Sequence, residues 1–150
     1  MSKMAVGAPG WTETHLAAYL KTDGAEGHLV DFTIAGGPAE TPCLILKTTG
    51  RRSGESKLIP LIYGEDAGRY VIIASKGGAP EHPLWVYNLR ANPLVEVQDG
   101  PHRQDMTVRE LSSDERAEWW MRAVDAFPPY GEYQQKTTRQ IPVFLLEPVS

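Results

Sequence analysis

The sequence predicts one α+β domain in which about six mostly antiparallel strands close as a small barrel, with two or three helices outside it. Three observations lead there. Short apolar or alternating runs recur between residues 43 and 146, each of a length that suits a strand. Most of the turns between them are a few residues long and rich in Gly, Asn and Asp, which joins strands antiparallel and leaves no room for a helical crossover. Helical patterns are confined to a few segments ahead of or between these runs. A sheet of this size with open edges invites aggregation, and closure into a barrel removes the edges.

At 150 residues the chain can bury a core without disulfide staples. A hydrophobic content of 41% and a charged content of 23% are those of a soluble globular protein. There is no apolar run long enough to span a bilayer, and the N-terminus, MSKMAVGAPGWTETH, lacks the apolar centre of a signal peptide. The single cysteine, Cys43, lies in an apolar run and reads as a buried, inert thiol. These features fit a reducing cytoplasm. A pI of about 5.5 argues against nucleic acid as a partner.

Taken in order, residues 1–10 are rich in small side chains and are expected to be disordered or loosely attached. Residues 12–20 form a short amphipathic helix with Leu16, Tyr19 and Leu20 on one face, Trp11 just ahead of it, Thr12 as N-cap and a stop near Gly24. This helix packs on the barrel wall, lies on a membrane surface or covers a substrate cleft. With the loop at 27–42, built around Gly36, Gly37 and Pro38, it makes an N-terminal segment, 1–40, ahead of the barrel at 41–150; the whole is one domain. Strands follow at 43–46, 58–63 and 70–74. A seven-residue loop, 48–54, joins the first two, and a turn at 64–68 joins the last two. A Gly-rich turn at 76–80 leads to a helix at 83–90, with Pro83 in its first turn, ended by Asn92 and Pro93. Residues 94–98 alternate, Val95 and Val97 facing one way, Glu96 and Gln98 the other. Asp99-Gly100 then turns the chain into a return strand at 102–111. Ser112 and Glu115 spell a capping box for a helix reaching about residue 126, which carries Trp119, Trp120 and Val124. Pro128 and Pro129 stop it, residues 130–133 continue as a turn or short helix, and 141–146 form the last strand.

Hydrolytic and nucleotide motifs are missing: there is no G-x-S-x-G, H-E-x-x-H, G-x-x-x-x-G-K-[ST] or G-x-G-x-x-G. The four histidines, His15, His28, His82 and His102, lack metal-ligand spacing, so no metal site is expected. Anion capture is what the residues favour. From Lys47 to Lys57, four basic residues stand against one acid, Glu55, in a chain of net charge −4. Arg51 and Arg52 can grip a carboxylate or phosphate bidentately, Ser53 adds a hydroxyl, and Lys57 lies on the strand leaving the turn. Lys76-Gly77-Gly78 offers a second cation beside amides that a ligand can approach closely. Either cluster alone fits an ordinary solvated turn. Together they suggest one elongated ligand with several negative charges. Trp85 either packs in the core or stands near the second turn, and Tyr130 and Tyr133 either anchor a loop or line a pocket.

The runs KTTGRRSGESKLIPLIY, VIIASKGGAPEHPLWVYNLRANPLVEVQ and FPPYGEYQQKTTRQIPVFLLEP are together similar to the deazaflavin-dependent nitroreductase family, a resemblance that covers residues 41–148. It implies a split β-barrel and coenzyme F420, a deazaflavin whose tail carries a phosphate and a chain of glutamates. Such a tail is an elongated polyanion of the kind the two basic turns suggest. The resemblance further implies that Arg51, Arg52 and Lys57, beside Ser53, meet the tail. The backbone of Pro60, Leu61 and Ile62 lies against the ring. Ala74, Ser75, Lys76, Gly77 and Gly78 wrap ring and phosphate, with Trp85 and Asn88 behind them on the following helix. Tyr130 and Tyr133, with Ser75 nearby, correspond to catalytic residues on the substrate side.

The implied reaction is transfer of hydride to an activated alkene, a quinone or a nitroaromatic. A tyrosine or Ser75 then hydrogen-bonds the oxygen on which charge builds. An FMN enzyme of the same barrel type is one alternative, although a single phosphate would not need both basic turns. A carrier that binds the deazaflavin without catalysis is another. The expected partner is a small-molecule electron acceptor rather than nucleic acid. The chain is expected to act as a monomer or homodimer in the cytoplasm, with contact to the inner face of the plasma membrane as a variant of that reading.

Overall fold

A computed structural model describes residues 4–5 and 10–149, so the expectation for residues 1–10 lies largely outside the described residues. The sheet is built on β3 (Thr41–Thr49), β4 (Ser56–Ile62), β5 (Gly64–Asp66), β6 (Arg69–Ile73), β7 (Leu94–Asp99), β8 (His102–Glu110) and β9 (Val143–Pro148). Their spatial order is β4-β3-β7-β8-β9-β6-β5, every neighbour antiparallel. Two short strands, β2 (Leu29–Asp31) and β1 (Met4–Ala5), extend it beyond the start of β3, with β1 parallel to β2. The sheet curls, but β4 and β6 are not paired with each other. The barrel is therefore split along that seam.

Alternation places the core. On β6, Tyr70, Ile72 and the following Ala74 enter one apolar cluster, while Val71 and Ile73 enter another. On β9, Phe144 and Leu146 join the first cluster, and Val143 and Leu145 the second. These two strands are buried on both faces, which is why they read as continuous apolar runs. Helix α2 (Leu84–Ala91) closes the first cluster with Trp85, Val86 and Leu89. Helices α3 (Ser113–Ala126) and α4 (Pro129–Gln135) cover the second with Trp119, Ala123 and Tyr130. Helix α1 (Trp11–Thr22) is pinned by Tyr19, whose buried hydroxyl lies 3.0 Å from Cys43 O and 3.2 Å from Gln98 O as donor and accepts from the Gly100 amide at 2.8 Å.

The α+β barrel is as expected, but its parts differ in places. The strand at 29–31 lies inside the expected loop at 27–42, and the strand at 64–66 inside the expected turn at 64–68. Each is three residues long, too short to show a period. Helix α1 starts at Trp11 with Gly10 as N-cap in the left-handed region, so Thr12 is not the cap. Its buried residues are His15 and Tyr19, while Leu16 and Leu20 are half-buried. Ser112 does sit at the N-cap of α3, but its side chain makes no cap hydrogen bond. Glu115 is instead held bidentately by Arg109 at 2.6 and 2.9 Å, a stronger partner than the Ser112 amide. The capping box is therefore not formed.

Candidate functional site

Strand β4 runs between two cavities. Residues 56–59 line the larger, of about 810 Å³, while Pro60, Leu61 and Ile62 line the smaller, of about 300 Å³. An apolar run with a proline is unusual within a sheet. Here β4 pairs only with β3, so it is an edge strand, where the missing N–H of Pro60 need not interrupt a ladder.

The larger cavity is the basic one. Gly50, Arg51, Arg52, Ser53 and Lys57 form one wall, and Trp85 and Asn88 of α2 the other. The turn is closed by Gly50 N–H to Glu55 O at 2.8 Å and Gly54 N–H to Gly50 O at 2.9 Å. Asn88 accepts the Arg51 amide at 3.0 Å, tying the turn to α2, and the Arg51 guanidinium lies over Tyr87 at 5.1 Å. Arg51 and Arg52 are exposed and form no ion pair among the described residues. Lys57 stands 3.8 Å from Glu55, both well exposed, which is a weak contact. Two unpaired guanidiniums held on an anchored turn are available to an anion.

The smaller cavity is mostly apolar, with hydroxyls around it that have no partner. Ser75, Tyr130 and Tyr133 all line it, and none of their side-chain oxygens makes a hydrogen bond among the described residues. Burial raises the pKa of both phenols, so they stay protonated donors. Cys43 also lines the cavity, its thiol pushed up to about 12 by burial, which keeps it inert. The smaller cavity is also lined by Lys76 and Gly77 of the 3₁₀ turn Lys76–Gly78. Ser75 is right-handed helical and Lys76 left-handed at φ 46°, followed by Gly77 at 64° and Gly78 at 86°. A right-handed residue followed by a left-handed one makes successive amides converge, an arrangement that binds anions. A left-handed Lys76 is strained by roughly 1 kcal/mol and persists only where its surroundings fix it.

The structure brings the expected site residues to the walls of these two cavities except Ala74 and Gly78, and one of those on a wall, Lys76, is already engaged. Ala74 is fully buried in the first apolar cluster. Gly78 packs on α4, where an added Cβ would stand 2.8 Å from Tyr133 O. Lys76 is engaged by Glu81 at 2.9 Å. Sequence reasoning offered α1 as a helix that covers a cleft among its alternatives, but singled out none of its residues as lining one. Trp11 and His15 line the smaller cavity and Leu16 the larger. Trp11 stacks on His15 with ring centroids 4.9 Å apart. His15 must donate through Nε2 to Gly27 O, at 2.7 Å, which leaves Nδ1 a buried acceptor without a partner among the described residues; Trp11 Nε1 likewise has none among them. The available signal was their spacing of four, which puts both rings on one helical face.

The family model described as F420H(2)-dependent quinone reductase matches residues 11–148, and so takes in α1 as well as the barrel. An F420H(2)-dependent quinone reductase of Mycobacterium tuberculosis is 36% identical over 135 residues, covering 88% of this chain and 86% of that protein. A solved structure described as an F420-H2 dependent reductase is 51% identical with a TM-score of 0.68, over 71% of this chain and 94% of its own. Another, described as a domain-swapped dimer, is 43% identical with a TM-score of 0.70, over 93% of this chain and 100% of its own.

Proposed function

Because the chain belongs to the F420H(2)-dependent quinone reductase family, we propose that it reduces a quinone, or a similarly activated alkene or nitroaromatic, using reduced coenzyme F420 held along β4. The observation that carries this reading is the polarity of the groove. Unpaired Arg51 and Arg52 stand at one end of β4, and an apolar cavity rimmed by unpartnered hydroxyls lies at the other. That gradient fits a coenzyme with an anionic tail and a flat, weakly polar ring.

In this reading Arg51, Arg52, Ser53 and Lys57 hold the tail, with Trp85 and Asn88 as the opposite wall. Pro60, Leu61 and Ile62 bound the ring on one side, and Ser75, Lys76 and Gly77 present their turn to its polar edge. The bound deazaflavin supplies the hydride. Tyr130, Tyr133 and Ser75 orient the acceptor and donate hydrogen bonds to its oxygen as negative charge develops there, in a mostly apolar cavity. Helix α1 is assigned to the groove rather than to a lipid surface. Its outward residues include Thr12, Glu13, Thr14 and Lys21, which form no apolar stripe, and no helix among the described residues is long and apolar enough to cross a membrane. The 43%-identical structure described as a domain-swapped dimer supports a homodimer for this chain as well; sedimentation of the purified protein decides that point.

Titration with coenzyme F420 and, separately, with FMN, followed by ring fluorescence, tests the cofactor. F420 should bind and FMN should bind much more weakly. Arg51→Ala combined with Arg52→Ala should weaken F420 binding at least ten-fold, since a charge-assisted hydrogen bond contributes on the order of 1.5–3 kcal/mol. Unchanged affinity in the folded double variant would remove the tail-binding role of this turn.

A further inference from the structure

Arg139 lines neither cavity, yet all five of its N–H donors are taken by the segment that carries the Lys76–Gly78 turn. Its Nε–H donates to Ala79 O at 2.9 Å. One terminal nitrogen donates to Ala74 O at 3.2 Å and to His82 Nδ1 at 2.8 Å. The other donates to Ala74 O at 3.2 Å and to Ser75 O at 2.8 Å. Glu81, the acid on that segment, is engaged by Lys76 instead. The guanidinium is thus hydrogen-bonded by carbonyls and an imidazole and forms no ion pair among the described residues, with Glu81 acting on it only at longer range.

The peptide plane turns this into a consequence for the groove. In a trans peptide the carbonyl of one residue and the amide of the next point in opposite directions, and no peptide bond in the described residues is cis. With the Ala74 and Ser75 carbonyls drawn onto Arg139, the amides of Ser75 and Lys76 point away from it. Ser75, Lys76 and Gly77 line the smaller cavity, and the left-handed Lys76 makes these amides converge. We propose that Arg139 is a positioning residue that sets the Ser75–Gly77 turn as a receptor for an anionic oxygen of the coenzyme, holding its carbonyls from behind so that its amides face the ligand. This rests on the coenzyme reading given above.

His82 is part of the same device. Its Nδ1 accepts from Arg139 only while that nitrogen is unprotonated. Burial, then Arg139 and Arg90, hold its pKa below the usual histidine value against the opposing pull of Glu110. Tyr87 of α2 stands 6.1 Å away by ring centroids, and Glu81 is the adjacent residue. A protonated His82 turns a donor on the guanidinium and releases it, so the receptor is intact above the His82 pKa and fails below it.

The experiment is a fluorescence titration of coenzyme F420 into wild-type protein, Arg139→Lys, Arg139→Ala and His82→Asn, with thermal unfolding of each as a check on folding. Arg139→Lys, which supplies fewer donors, should bind about ten-fold more weakly while unfolding cooperatively. Arg139→Ala should bind more weakly still and regain affinity when guanidinium ion is added at concentrations that leave the wild type unaffected. Wild-type affinity should fall as pH drops below the usual histidine range, and His82→Asn, whose amide oxygen accepts at every pH, should abolish that fall. Wild-type affinity in folded Arg139→Lys, or no recovery with guanidinium in folded Arg139→Ala, overturns the proposal. Failure of the wild type itself to bind F420 overturns the coenzyme reading and this inference with it, so the two failures are told apart by the wild-type curve.

Discussion

Tyr133 combines a packing role and a polar one that the loss of a single oxygen separates. Its ring sits near Phe127 and Tyr130, at 6.4 and 6.3 Å between centroids, while its hydroxyl has no partner among the described residues. Tyr133→Phe keeps the ring contacts and should lower turnover about ten-fold with coenzyme affinity unchanged; a loss seen only in coenzyme binding would place the hydroxyl on the wrong side of the groove. Asp99 is the opposite case, a polar residue with every partner in place. Its carboxylate lies 2.9 Å from His28 Nε2 and accepts from Tyr63 at 2.9 Å and Tyr70 at 2.7 Å, which together hold its pKa at about 2. A depressed carboxyl pKa contributes stability above the ordinary carboxylate range and loses it as pH falls toward 2. Asp99→Asn should therefore lose about 2 kcal/mol at neutral pH, and its unfolding free energy should converge on that of the wild type near the acid end. At this scale the sequence marked Arg51, Arg52 and Lys76 by charge beside glycine, and the structure has all three on cavity walls. It was opaque where a residue's role depends on a partner far along the chain. Asp99 looked like a hairpin residue, and nothing near Arg139 announced the segment it would hold.

Among the elements, α1 does the most that its sequence hid. Its apolar face was read from Leu16, Tyr19 and Leu20, because a periodicity count treats histidine as polar and so overlooked the pairing of His15 with Tyr19. Tyr19 fastens the helix to β3 and to the β7–β8 turn, and His15 fastens it to Gly27. Tyr19→Phe leaves the Gly100 amide and two carbonyls without that hydroxyl in a buried setting, and should lower stability by about 2 kcal/mol. Hydrogen exchange should then quicken in α1 ahead of the barrel strands; uniform quickening across the protein would show that the helix does not open separately. Strands β3, β6, β7 and β9 were legible because each buries apolar residues on at least one alternating face, and β8, which buries only Met106, was legible through the Asp99-Gly100 turn ahead of it. Strands β2 and β5 were not, because three residues carry no period and are recruited by neighbours already in place. The capping box at Ser112 failed for a related reason: the local rule held in sequence, but Arg109 competes for Glu115 from across the turn.

For the molecule as a whole, the barrel and the groove are one fact. Curling an antiparallel sheet would bring β4 against β6, yet the two stay unpaired, and the seam between them is the smaller cavity. Sequence patterning favoured closure into a barrel without edges, which the sheet does not reach; the split follows from how far the sheet curls, and in the sequence only the family resemblance implied it. Charge is distributed to match. The chain is −4 overall, while the basic turn at the far end of β4 is locally positive, and its Arg51 and Arg52 have no ion pair among the described residues. An anionic coenzyme is therefore repelled by the molecule at long range and attracted by the groove at short range. Raising the salt from about 0.1 M to about 1 M shortens the screening length from roughly 10 Å to roughly 3 Å. The distant repulsion is removed first, but the exposed arginines are also screened, and contact distance decides affinity. F420 affinity should fall with added salt in the wild type. The Arg51→Ala, Arg52→Ala variant should show a much flatter dependence, because it lacks the short-range attraction being screened. Equal slopes in the two proteins would mean that the tail meets charge elsewhere, and a rise in affinity with salt would mean that the overall negative charge outweighs the turn.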